Sequence, residues 1–134
     1  MTTPDPELEL PNDDLMLDLD RLHVLVTSPE RVLPESRFRR LLERELRTLC
    51  ATLEEHFKAE EEGYLVAVRE RAPDLGEDAS RLRAQHTEIR SRLLTLASDC
   101  RKAAIDTLRD DTAAVLDLIG EHERGEVELV EKAR

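Results

Sequence analysis

His56 and Glu60 in "HFKAEE", and His122 and Glu126 in "EHERGE", each stand four residues apart. That spacing stacks two side chains on one face of a helix, one turn above the other. An imidazole and a carboxylate so placed reach a single metal ion together, and the combination suits iron, zinc or manganese. The remaining two of the chain's 4 histidines, His23 and His86, each precede one of these pairs. The order His, then His and Glu one turn apart, therefore occurs twice. Two helical hairpins of this kind, packed about a pseudo-two-fold, bring four imidazoles and two carboxylates together at mid-bundle, where helical bundles build metal sites.

Charge makes the same demand. Burying one carboxylate without a partner is costly, and burying two near each other adds repulsion. Glu60 and Glu126 interrupt apolar stripes on which no lysine or arginine falls, so positive charge must come from elsewhere. Two divalent cations supply it, and with four neutral imidazoles and two carboxylates they leave a net charge of about +2, which attracts solvent-derived anions or dioxygen reduced to peroxide. Carboxylates bridge two metals through their two oxygens, the role assigned to Glu60 and Glu126. The ordinary alternative is a metal-free bundle, since a histidine on an apolar stripe is commonly a satisfied core residue and a His–Glu pair at this spacing a surface pair.

Four helical stretches must carry these residues. The first, in "DDLMLDLDRLHVLV", shows Leu15, Leu19, Leu22 and Val26 on one face behind the capping candidates Asn12 and Asp13. "TSPERVLPES" breaks it twice with proline. The second is expected from about Ser36 to Arg71, its stripe of Leu42, Leu46, Leu49 and Leu53 continuing into His56, Glu60 and Ala67, with Pro73 and Gly76 ending it. The third carries Leu82, Ile89, Leu93 and Leu96 in register with His86. The fourth begins between Asp106 and Asp111 and shows Val115, Ile119, Leu129 and Val130 around His122 and Glu126. Residues 1–12, with Pro4, Pro6 and Pro11 among acidic residues, read as a tail or an arm laid over a bundle of residues 13–134. One geometric demand stands out. His56 lies some twenty residues into its helix while Pro29 closely follows His23, so aligning the two requires the segment from Thr27 to Ser36 to span about 20 Å, or the first helix to continue past Pro29.

The 134 residues suffice for one domain. Charged residues make up 38% and aromatic residues 2%, a profile that favours helices over strands. A net charge of −11 disfavours nucleic acid and anionic membrane as partners. Arg39, Arg40, Arg44 and Arg47 alternate with Glu43 and Glu45 and read as a solvated, ion-paired face. The acidic "MTTPDPELEL" is no secretory leader and no apolar run approaches a membrane span, so a cytoplasmic protein is expected. Cys50 and Cys100 then read as reduced thiols.

In its ligand order the sequence resembles the hemerythrin-like, or HHE cation-binding, domains. The residues that carry the likeness are His23; "HFKAEE" with His56 and Glu60; "QHTEI" with His86; and "HERGE" with His122 and Glu126. The resemblance spans residues 15–131 and implies an antiparallel up-down-up-down four-helix bundle around a non-haem centre of two iron ions, oxo- or hydroxo-bridged, with zinc or manganese as alternatives. It makes His23 and His56 terminal ligands of one ion, His86 and His122 of the other, and Glu60 and Glu126 the bridges. Oxygen-carrying members place a second histidine one turn from the third-helix ligand, where this chain has Leu82 and Arg90. The function implied is binding of O2, peroxide or NO for storage, sensing or scavenging; the alternatives are a metal- or oxygen-responsive signalling module and slow oxidase or peroxidase chemistry. Asp20, one turn before His23, offers a further oxygen ligand or is a solvated acid. Tyr64, one turn after Glu60, hydrogen-bonds the centre or packs with its hydroxyl outward.

Overall fold

The computed structural model describes residues 6–11, 13–28 and 33–134, which places the expected roles of Pro4, Asn12 and Pro29 outside the described residues. The chain is all helical there: α1 (Leu15–Thr27), α2 (Glu35–Glu62), α3 (Tyr64–Arg71), α4 (Gly76–Asp99) and α5 (Ile105–Ala133), with short 3-10 turns at Pro6–Leu8 and Pro73–Leu75. α4 and α5 correspond to the third and fourth helices expected from the sequence. The single long second helix is divided, α2 and α3 meeting at Gly63.

Sterics explain the division. A Cβ on Gly63 would lie 2.7 Å from the carbonyl oxygen of Ala59, so no other residue fits this backbone without displacing it. The helix then restarts, with the amides of Val66 and Ala67 both donating to the Gly63 carbonyl at 3.1 and 3.2 Å. A periodic apolar stripe runs through the junction without marking it, because the buried face continues from Phe57 and Glu60 to Tyr64, Ala67 and Val68.

Each long helix packs against two others: α1 and α4 both lie against α2 and against α5. Leu22, Leu42, Leu46, Leu49, Ile89, Leu93 and Ile119 form the main apolar cluster. Full burial stabilises each such side chain by roughly 1.5–3 kcal/mol. A second, smaller cluster joins Tyr64, Leu65, Val68, Leu82, Leu129 and Val130 at the other end of the molecule. Leu8, carried by the turn Pro6–Leu8, completes this cluster, and Glu7 pairs with Arg71 at 2.5 Å beside it. Along α2, α4 and α5 the residues between the two clusters are His56 and Glu60, His86, and His122 and Glu126, all buried. The fold thus holds a polar layer between two apolar ones.

Two arginines tie the ends away from that layer. Arg39 donates to the carbonyls of Cys100 and Ala103 beyond α4, and Arg109 donates to Val26 and Ser28 at the end of α1 while lying over the Phe38 ring. Arg39 and Arg47 also pair with Glu35 and Glu43 one turn away, as an ion-paired face requires. Cys50 and Cys100 are free thiols, and burial raises the pKa of each. Among the described residues no helix is long and apolar enough to cross a membrane.

Gly63→Ala is expected to destabilise the protein by about 1–3 kcal/mol, the cost of forcing atoms into a packed backbone. Urea melts of the two proteins measure it. An unchanged midpoint would mean that the Ala59 carbonyl yields freely.

Candidate metal centre

The layer is assembled from three helices. α2 contributes His56 and Glu60, α4 His86, and α5 His122, Glu123 and Glu126. Their ligand atoms fall into two groups, Glu60, His86, His122 and Glu126 in one and His56, Glu60, Glu123 and Glu126 in the other, all atoms of a group within 4.8 Å of one another. Glu60 and Glu126 belong to both. The Glu60 carboxylate points one oxygen each way: Oε1 lies 3.1 Å from His86 Nε2 and Oε2 3.3 Å from His56 Nε2. Glu126 Oε1 stands 3.2 Å from His122 Nε2, and Glu123 Oε1 3.3 Å from His56 Nε2.

The outward nitrogens fix which imidazole atom faces the centre. His56 Nδ1 is 2.7 Å from Asp13 Oδ2, His86 Nδ1 is 3.1 Å from Glu61 Oε2, and His122 Nδ1 is 2.6 Å from Gln85 Oε1. These oxygens only accept, so each Nδ1 carries its hydrogen, and a neutral ring then presents the Nε2 lone pair inward. Such outer partners orient metal-binding histidines and raise their basicity. Phe57 holds one ring further, stacked on His86 at 3.9 Å and 11°.

The inward atoms lack donors among themselves. His86 Nε2 and His122 Nε2 approach to 3.1 Å. Among the described residues, His56 Nε2, both Glu60 oxygens, Glu123 Oε1 and Glu126 Oε1 are buried without a hydrogen-bond partner. Lone pairs converging in a buried space fit a cation. Tyr64 is the exception, a neutral donor: its hydroxyl gives a 2.5 Å hydrogen bond to Glu126 Oε2. Burial raises its pKa, and repulsion from Glu60 and Glu123 raises it further, which keeps the phenol protonated.

In the absence of a cation a proton takes the place. Burial opposes charge on His56, but Glu123, Glu60 and Asp13 outweigh it and push the pKa up to about 11. Burial likewise opposes the Glu60 carboxylate, yet His122, His56 and His86 bring its pKa down to about 2. A metal ion held there would therefore compete with a proton for His56.

His56, Glu60, His86, His122 and Glu126 are brought together; His23 is not. It is exposed on α1, and its backbone carbonyl accepts the Thr27 hydroxyl. The contacts between α1 and α2 explain why. Asp18 accepts a hydrogen bond from Thr52 at 2.6 Å and Asp13 meets His56, so earlier residues of α1 lie beside later residues of α2. His23 is beyond Asp18 in the direction away from His56, and α1 ends at Thr27. The Asp20 side of α1 is exposed as well, lining a surface groove with Val24 and Leu41. On α4, Leu82 joins the smaller apolar cluster and Arg90 pairs with Glu54, so neither turn beside His86 adds a ligand.

Glu123, Asp13, Glu61 and Gln85 were not legible as parts of the centre. Glu123 sits beside His122 in "HERGE", off the four-residue spacing that marks the pair. Asp13 looked like a cap; the N-cap is Asp14, and Asp13, one residue before it, accepts the Leu15 amide on Oδ1 while Oδ2 serves His56.

The sequence matches the family model of the hemerythrin HHE cation binding domain over residues 3–132. The chain belongs to that family. No curated protein and no solved structure matches it. Membership in that family implies cation binding, and among the described residues the two groups sharing Glu60 and Glu126 could hold a metal ion. The match begins ahead of α1, so the turn that seats Leu8 lies within the matched region.

The two shifted groups set the pH dependence of the metal-free domain. His56, with its folded pKa raised from an ordinary 6.5 to about 11, contributes stability that is complete below 6.5 and lost as pH rises through 11. Glu60, lowered from an ordinary 4.5 to about 2, contributes stability complete above 4.5 and lost as pH falls through 2. Metal-free protein should melt highest between pH 4.5 and 6.5 and decline on the alkaline side, and His56→Gln should flatten that alkaline limb. Thermal melts across pH check this; an unchanged melting temperature from pH 6.5 to 9 in the parent protein would contradict it.

Proposed function

We propose that this HHE domain is a non-haem di-metal protein, most naturally di-iron, that binds O2, peroxide or NO for storage, sensing or scavenging. One observation carries the reading: two ligand groups share both carboxylates, Glu60 and Glu126, and every histidine in them turns Nε2 inward because Nδ1 is already engaged. Each ion would have two residues of its own and two shared with its neighbour. In that assignment Glu60 and Glu126 bridge, His86 and His122 hold one ion, and His56 with Glu123 holds the other. His23 is left out of the ligand set.

Bound iron supplies redox chemistry toward small oxygen or nitrogen species; the chain supplies selection by size and polarity. Glu60 and Glu126 are 0% exposed and His86 and His122 1%, so the centre suits ligands of a few atoms. Phe57 walls one side, and Tyr64, fixed as a donor toward Glu126, places a hydroxyl beside the centre. A groove lined by Glu61, Arg83, Thr87 and Arg90 reaches the outer side of His86 and is a natural approach from solvent. With three imidazoles and three carboxylates around two divalent ions the centre keeps a net charge of about +1, still attractive to small anions.

Protein reconstituted with Fe(II) without air should hold two irons per chain and gain near-ultraviolet absorption when air is admitted. Glu60→Ala should lose both ions rather than one, because both depend on that carboxylate. Elemental analysis and absorption spectra decide it; absence of metal after reconstitution would end this reading. Iron binding without any spectral response to O2, peroxide or NO would leave a metal-responsive structural module in its place.

A further inference from the structure

We infer that the two halves of the centre are chemically unequal, and that Glu123 makes the His56 half selective for a harder, more oxygen-loving cation than the His86–His122 half. The inference rests on the di-metal reading and concerns what each position prefers.

Setting aside the shared Glu60 and Glu126, one half offers two imidazoles, His86 and His122, and the other offers one imidazole, His56, and one carboxylate, Glu123. Imidazole suits zinc, copper, nickel and iron, whereas carboxylate oxygen suits manganese and other hard ions. The outer partners accentuate the difference. His56 donates to a carboxylate of Asp13 at 2.7 Å, while His122 donates to the neutral amide oxygen of Gln85 at 2.6 Å. His86 donates to Glu61, whose other oxygen is drawn to Arg83 at 3.0 Å, which weakens it as an acceptor. Anionic partners raise the basicity and electron donation of the ring they hold. The His56 half therefore gathers Glu123 directly and Asp13 at one remove, and it stabilises positive charge better than the half that ends on Gln85.

Glu123 is also poised for this task. It is half-buried, yet its Oε1 is fully buried with no hydrogen-bond partner among the described residues and points at His56 Nε2 from 3.3 Å. Lying on α5 next to His122, it reaches across the centre to the half that His122 does not serve. Adjacent residues on one helix thus end on opposite halves.

The test uses the full metal-free chain given one equivalent of Zn(II) and one of Mn(II), followed by elemental analysis and by anomalous scattering from crystals at the two absorption edges. One zinc and one manganese per chain are expected, zinc beside His86 and His122, manganese beside His56 and Glu123. Glu123→Gln should lower Mn(II) affinity by about tenfold or more while zinc at the His86 half is kept, the range seen when a supporting ligand contact is removed. Glu123→His, which retains a donor at the position, should equalise the halves and scramble the two metals; it also distinguishes loss of selectivity from loss of folding. Zinc and manganese spread evenly over both halves of the parent protein would overturn the inference while leaving a di-metal centre intact. Binding of neither metal, or of only one ion in total, would overturn the di-metal reading and this inference with it.

Discussion

Everything in this domain is arranged around a layer of electron pairs that face one another. Three imidazole nitrogens and three carboxylates converge where water is excluded, and only the Tyr64 hydroxyl among the residues named supplies a hydrogen to them. A layer of this kind is unstable by itself. It persists because apolar clusters on either side fold the helices regardless, and because a cation or, failing that, a proton on His56 offsets part of its negative charge. The apolar layers thus hold a space short of positive charge, where binding of a metal ion would be coupled to fold stability.

The break at Gly63 belongs to the same arrangement. An unbroken helix would carry the residues after Glu60 along the α2 axis; the interruption lets α3 begin with Tyr64 turned onto Glu126 of another helix. The hydrogen bond from Tyr64 occupies one oxygen of Glu126 and leaves the other toward His122. α1 relates to the centre differently. Among the described residues it places no candidate ligand, yet Asp13 ahead of its first turn accepts the Leu15 amide with one oxygen and orients His56 with the other. The start of α1 and the ring of His56 are thereby held by one carboxylate.

Much of this was legible in the sequence, for identifiable reasons. The four-residue spacing of His56 with Glu60 and of His122 with Glu126 survives folding because a helix converts sequence spacing into shared face, and the leucine stripes of α2 and α4 put those faces inward. His86 was legible through its register with Leu82 and Ile89. What failed to show was whatever depends on the relative height of two helices. His23 adjoins the stripe of Leu15, Leu22 and Val26 but faces outward, and stripes in any case do not specify level along an axis: the Asp18–Thr52 contact sets a level at which Asp13, not His23, meets His56. Gly63 was hidden for the complementary reason: a helix can break without changing which residues are buried. Glu123 and Gln85 escaped because each adjoins a ligand in sequence while serving a different histidine across the bundle.

The replacement of an α1 histidine by an α5 carboxylate changes more than a donor atom. A ligand carried by α1 would make that helix a structural part of the metal shell, so that removing the ion would remove its anchor. With Glu123 supplying the fourth contact in the proposed ligand set, all six inward groups come from α2, α4 and α5, and the shell would be complete without α1. One extra negative charge is buried in exchange, which would lower the net charge that two divalent ions leave behind and reduce the pull on added anions relative to an all-histidine arrangement. The Asp13–His56 hydrogen bond then becomes the one direct polar link described between α1 and the metal shell, and any change in charge on His56 is felt first at the start of that helix.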